Sequence, residues 1–223
     1  MEVTAVAKAR ALVMIELDAL TNRGRVRLSD CIRPLVERYD FQKFPVKPED
    51  FDIEEKGVRF ESGKANGLLI DSLIVYNGAL VVDTLASTNE SKAILLDLLE
   101  WGRTGLGISY EERLIRRWGN ISHIIFKTDI PLLALYSSPL QKLAAKTSAV
   151  TEEIFEGLKY APNQIWIGHD PAARKNAIAS LFIAHRVNTS YSENEFFSEA
   201  PLPTHLHIQF LREFEQDVKD SIR

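Results

Sequence analysis

Cysteine is nearly absent from the 223-residue chain: Cys31 is the only one. No internal disulfide can form, which excludes a disulfide-stapled scaffold and fits a reducing compartment. Beside apolar Ile32, the thiol reads as a small core residue rather than a nucleophile. Long apolar runs are missing too. Lys8, Arg10, Glu16 and Asp18 break up the N-terminal stretch, so no secretory signal is read there. Residues 67–82, the most apolar region, carry Asp71 and Asn77 and are too polar to cross a bilayer as one helix. The expectation is a cytoplasmic protein with no membrane partner, in which the sequons at Asn89, Asn120 and Asn188 are chance matches.

The common catalytic and cofactor signatures are also lacking. There is no phosphate-binding G-x-x-x-x-G-K-[ST] or G-x-G-x-x-G; Gly102, Gly105 and Gly107 fall between two expected helices, not between a strand and a helix. There is no G-x-S-x-G elbow, no H-E-x-x-H and no zinc-type Cys/His spacing. No cofactor and no metal site is expected. Nor does one sign of charge dominate: 27 Lys+Arg stand beside 31 Asp+Glu, a net charge of −4, so no overall field gathers phosphate backbones or anionic lipid.

What is present is an ordinary folding composition, 45% hydrophobic and 26% charged, without a linker-like stretch, and it reads as a single domain over 1–223. Helical spacing of Val3, Val6, Val13, Leu17 and Leu20 predicts a helix over 3–20, with a half-buried strand as the alternative, because Ala7, Ala9, Ala11, Val13 and Ile15 also alternate. A short helix is expected over 34–41, with Pro34 in its first turn. Asn77-Gly78 predicts a type I′ hairpin between 68–76 and 79–84. Ser87 and Glu90 have capping-box spacing ahead of a helix closed by Gly102 or Gly105, and a second helix is expected over 109–118. A strand over 121–128 and a long helix from Ser138-Pro139 past Leu158 come next. Strands at 164–168 and 178–187, a polar loop at 188–203 and a final amphipathic helix from Thr204 complete an α+β fold with a mainly antiparallel sheet and no internal repeat.

Three constellations are candidates for function. His169-Asp170 follows an expected strand end, where acid–base groups are often held; the plainer reading is that Asp170 caps the turn begun by Pro171. Arg113, Arg116 and Arg117, three to four residues apart on the expected helix, could present a phosphate-binding surface, joined by Arg23, Arg25 and Arg27 if the two clusters adjoin; Glu111 and Glu112 could equally neutralise them. Tyr191, Phe196 and Phe197 lie in the expected loop, where exposed aromatics serve as interface anchors unless they fold back onto the core. The pair His205 and His207 would share a face on a strand but not on the expected helix. The leading expectation is a non-enzymatic, self-associating assembly subunit with a homo-oligomeric or other protein partner. The alternatives are a motif-less hydrolase or nuclease using His169 and Asp170, and a nucleic-acid binder using the arginines.

Overall fold

The computed structural model describes residues 1–135, 138–152, 160–170, 172 and 179–222; Leu158, Pro171 and Ile178, which enter the expectations above, lie outside them. In chain order the elements are β1 (Glu2–Met14), α1 (Leu17–Leu20), α2 (Leu28–Tyr39), β2 (Val58–Ala65), β3 (Leu68–Tyr76), β4 (Ala79–Thr84), α3 (Thr88–Gly105), β5 (Arg117–Lys127), α4 (Ser138–Thr151), β6 (Gln164–Ile167), β7 (Leu181–His185), β8 (Glu195–Ala200) and α5 (Thr204–Ile222). This is an α+β fold with strand order β2-β3-β4-β1-β5-β8-β7-β6 and antiparallel registers.

The chain divides into two compact units, neither continuous in sequence. A first unit comprises Val6–His123 with Pro201–His207, and a second comprises Met1–Ala5, Ile124–Ala200 and Ile208–Arg223. The element order repeats where the amino acids do not: strand, helix, three-stranded meander, helix is traced by β1-α2-β2-β3-β4-α3 and again by β5-α4-β6-β7-β8-α5. One pair of side chains carries the repeat into atomic detail. The Thr88 amide donates to Thr204 Oγ1 at 3.0 Å, and the Thr204 amide donates to Thr88 Oγ1 at 2.9 Å. These are the first residues of α3 and α5, and each side chain accepts the other residue's amide. The exchange satisfies, at each helix start, one buried N–H that lacks a partner within its own helix. Thr88→Ala and Thr204→Ala should each cost about 1 kcal/mol in urea denaturation, because each removes the acceptor of one amide and leaves the other bond in place, and the double variant should cost more than either.

In the first unit, β1 replaces the helix expected over 3–20. Ala9, Ala11 and Val13 are fully buried at every second position, so burial at period two overrides the helix preference of alanine. Helix α2 begins six residues before Pro34 and runs through it, because Cys31, Leu35 and Tyr39 form a buried stripe at four-residue spacing. That stripe and Ile94, Leu95, Leu98 and Leu99 of α3 pack on Val13, Leu73, Val75, Leu80 and Val82 of the sheet. Ser87 caps α3 by accepting the Glu90 amide, as expected; the Glu90 carboxylate accepts from the Ser87 hydroxyl instead of the Ser87 amide.

Hairpin β3–β4 has the expected bounds, but its Asn77-Gly78 turn lacks the left-handed residues of a type I′ turn. Those occur at Asn66 (φ 47) and Gly67 (φ 82), between β2 and β3. Asn77 and Gly78 are held by tertiary bonds instead: their carbonyls accept from Leu17 and Ile15, and the Asn77 amide donates to Ile53. The helix expected over 109–118 is a short 3₁₀ turn, Glu112–Leu114, followed by β5; the Arg116 amide donates to the Met14 carbonyl, drawing this segment beside β1.

In the second unit, the loop expected over 188–203 holds a 3₁₀ turn, Tyr191–Glu193, and strand β8. β8 pairs with β7, placing Phe196 opposite His185 and Phe197 opposite Ala184. Phe126 stacks on Phe196 at 5.5 Å within a core that includes Ile124, Leu132, Ile183, Leu211 and Val218. Glu215 of α5 accepts from Thr128, the Met1 amine and Lys219. Although burial pushes the Glu215 carboxyl up, these donors hold it below the ordinary range.

Candidate functional site

His169 and Asp170 follow β6 and are exposed. His169 Nδ1 lies 3.1 Å from the Asp170 carbonyl, and Asp170 Oδ1 accepts the Ala172 amide at 2.8 Å, the local bond of a turn-capping aspartate. The two line neither of the cavities described below.

Arg113, Arg116 and Arg117 share no helix. Arg113 binds Glu111 through two nitrogens, and Arg116 binds Glu16 at 2.6 Å. Arg117 opens β5. The Ser109 amide donates to the Leu20 carbonyl at 2.8 Å, which brings the segment before these arginines beside the one that leads to Arg23, Arg25 and Arg27. Ion pairing leaves Arg113 and Arg116 little unmatched charge for a phosphate.

A Ser–His pair that the sequence reading did not single out lies in the first unit. Ser122 Oγ is 2.7 Å from His207 Nδ1, and both residues are fully buried. The Ser122 hydroxyl also lies 3.1 Å from the Leu202 carbonyl; with His207 protonated at Nδ1, it donates there while accepting from the ring. In that tautomer the histidine gives a proton to the hydroxyl, the reverse of a general base. Burial, with the neighbouring His123, pushes the His207 pKa down to about 4.

Asp83 is a buried carboxylate of the first unit. It sits opposite Arg10 across β1 and β4 and accepts two bonds from that guanidinium, at 2.6 and 2.7 Å. Ser72, opposite on β3, donates at 3.1 Å, and Lys8 lies 4.0 Å away. Burial pushes the Asp83 carboxyl up, but Arg10, Lys8 and Ser72 outweigh it and hold the group below the usual range.

Two concavities belong to the first unit. One, of about 420 Å³, lies beside β2 among Lys43, Phe44, Asp50, Lys56, Arg59 and Glu61. Its charges are largely matched internally: Lys43 and Arg59 pair with Glu61, and Asp50 accepts the Val46 and Lys47 amides. The other, of about 50 Å³, is apolar and reaches Cys31.

The interface aromatics divide by strand alternation. Phe196 faces inward, fully buried, and is a core residue. Phe197 faces the opposite way and is half-buried. Tyr191, 44% exposed, sits on a 3₁₀ turn capped by Ser190, with its ring 4.6 Å from His185. His185 in turn stacks on Phe196 at 4.5 Å, and burial lowers its pKa. On the outward face an aromatic row crosses three strands, from Phe197 to Phe182 at 6.4 Å and on to Trp166 at 5.8 Å.

Trp166 is the residue that sequence reasoning missed. It is 69% exposed on β6, with Ile167 beside it at 60%. β6, Gln-Ile-Trp-Ile, ends the strand order and carries no charge. The His185 amide donates to the Asn163 carbonyl, and antiparallel pairing alternates, so the Gln164 and Trp166 amides face away from β7. The opposite end of the order is closed. Glu61 of β2 exchanges backbone bonds with Lys43 at 2.8 and 3.2 Å, and Arg59, Glu61 and Lys64 put charges along that strand. Leu143 and Val150 of α4 are also exposed, and Ser148 between them accepts the Tyr160 amide at 2.8 Å, tying α4 to the segment that leads into β6. A charge-free strand carrying tryptophan could have been flagged in the sequence; that it lies at an edge could not.

Among the described residues, no group of three His, Cys, Asp or Glu could hold a metal, and no helix is long and apolar enough to cross a membrane. No known protein family matches the chain, and no curated protein is similar to it.

Proposed function

We propose that this protein is a non-enzymatic assembly subunit that self-associates by pairing β6 with β6 of a second copy. The observation that carries the reading is the uncharged end strand with Trp166 and Ile167 in solvent. Monomeric sheet proteins protect such edges with lysine, proline, bulges or covering segments, and β6 has neither lysine nor proline. Two copies of one strand, antiparallel about a two-fold axis, present identical outward amides and carbonyls to each other. With the β2 edge closed, growth stops at a dimer instead of a fibre. The aromatic row ending in Trp166, together with the exposed apolar residues of α4, supplies area beyond the four-residue strand, which alone is too small for a stable interface.

Sedimentation equilibrium of two variants tests this. Trp166→Lys removes the anchor and should weaken the dimer about 30-fold or more, the size of a hot-spot loss. Gln164→Pro removes one outward amide and little apolar surface, and should weaken it as well, whereas an interface made only of side chains would tolerate it. A wild-type chain that stays monomeric at high concentration contradicts the proposal.

A further inference from the structure

The apolar cavity of about 50 Å³ is floored by Leu73, Val75 and Leu80 of the sheet and walled by Cys31 and Leu35 of α2. Leu17, Leu28, Leu106 and Ile108, which also line it, are half-buried and form its mouth. Close-packed interiors keep few voids larger than a water, and a lining with no polar atom to bond water favours a hydrocarbon occupant. An apolar cavity of about 150 Å³ accepts a benzene ring. At a third of that volume, this one suits the end of an alkyl chain.

The rim is of a different character. Thr21 and Leu28 line the cavity, and the loop between them carries Arg23, Arg25 and Arg27, all exposed and without an acidic partner at salt-bridge distance among the described residues. Asp18 and Asp30 flank the loop, leaving one net positive charge over residues 18–30. Asn22, Arg23 and Gly24 hold positive φ values of 51, 55 and 79, and this conformation turns the chain between α1 and α2 directly beside the mouth. A dry hole under a cationic loop has the two-part chemistry of an amphiphile.

We propose that this site binds an anionic amphiphile, with its alkyl end in the cavity and its carboxylate or phosphate on Arg23, Arg25 and Arg27. The inference is independent of β6 and of self-association.

Octanoate and octanol, which share a chain and differ in the charged head, are the probes, read by titration calorimetry on the full chain. Octanoate should bind one per chain and more tightly than octanol. The triple variant Arg23→Glu, Arg25→Glu, Arg27→Glu, altered only at exposed positions, should weaken octanoate at least tenfold and leave octanol unchanged. Cys31→Leu fills the space and should raise the melting temperature while abolishing both. In the wild-type chain, saturating octanoate should slow alkylation of Cys31 by iodoacetamide severalfold, a reading that needs no variant to fold. Absence of saturable octanoate binding, an unchanged alkylation rate, or equal octanoate affinity in the triple variant would each overturn the proposal. Octyl phosphate binding more tightly than octanoate would support it with a phosphate head, and octanoate binding more tightly would support it with a carboxylate.

Discussion

Asp83→Ala should destabilise the protein by about 3 to 5 kcal/mol, measured as the shift in a urea transition, because it removes the buried carboxylate that Arg10, Lys8 and Ser72 share. Asp83 is 1% exposed, while the Arg10 side chain keeps 28% exposure. Partial hydration of Arg10 moves the expected loss toward the lower end of that range. Ser72 would lose its acceptor as well. The charge is not itself a large source of stability: desolvation offsets much of the attraction between buried ions. Arg10→Met with Asp83→Leu should therefore come closer to the wild type than Asp83→Ala alone. A loss below about 1 kcal/mol for Asp83→Ala would mean that Arg10 reaches water freely when released.

Mild acid should be the second strong perturbation, acting through His207. Its folded pKa of about 4 lies below the ordinary 6.5, so between these values the unfolded chain binds a proton that the folded chain refuses. Stability is then full above about pH 6.5 and falls as pH drops toward 4, by on the order of 3 kcal/mol. The Asp83 carboxylate adds to this only lower down, because its depressed folded pKa keeps its contribution intact until pH falls below the normal carboxylate range. Two acid phases are expected, and His207→Gln should remove most of the upper one, leaving the part that His185, whose pKa burial also lowers, contributes. Buried Ser122 would keep a partner in that variant, since a glutamine amide can donate to it. A stability curve flat from pH 7 to 4.5 would contradict the placement of His207 beside Ser122 and His123.

Sequence pattern located most elements because local signals agreed with burial. The β3–β4 hairpin and the Ser87 cap were legible for that reason. The reading failed where tertiary contacts overrode local preference. Alanines that favour helix lie in β1 because Ala9 and Ala11 are fully buried at alternate positions in line with Val13. Pro34 belongs at a helix start by its own chemistry, yet the Cys31-Leu35-Tyr39 stripe carries α2 through it. Of two Asn-Gly pairs, the one with the type I′ geometry is Asn66-Gly67, and nothing local separates it from Asn77-Gly78, whose conformation depends on distant carbonyls and amides. The repeated element order is silent in the sequence because a fold constrains burial and spacing more than identity; Thr88 and Thr204 carry it between otherwise dissimilar flanks.

The candidate site was less legible than the fold. Aromatic content near the C-terminal half pointed to an interface, but strand alternation sends Phe196 to the core and leaves Phe197 in the outward row. Trp166 matters because β6 lies at an edge, and edge position is a property of strand order that no single segment encodes.

Amide hydrogen exchange at Gln164 and Trp166 tests strand addition most directly, because both N–H groups face away from β7 and gain a partner only when a second copy arrives. Followed above and below the concentration at which the dimer dissociates, the account predicts that both amides are protected in the concentrated sample and exchange at least tenfold faster on dilution. Equally fast exchange in a sample that sedimentation shows to be dimeric would contradict it and place the interface elsewhere.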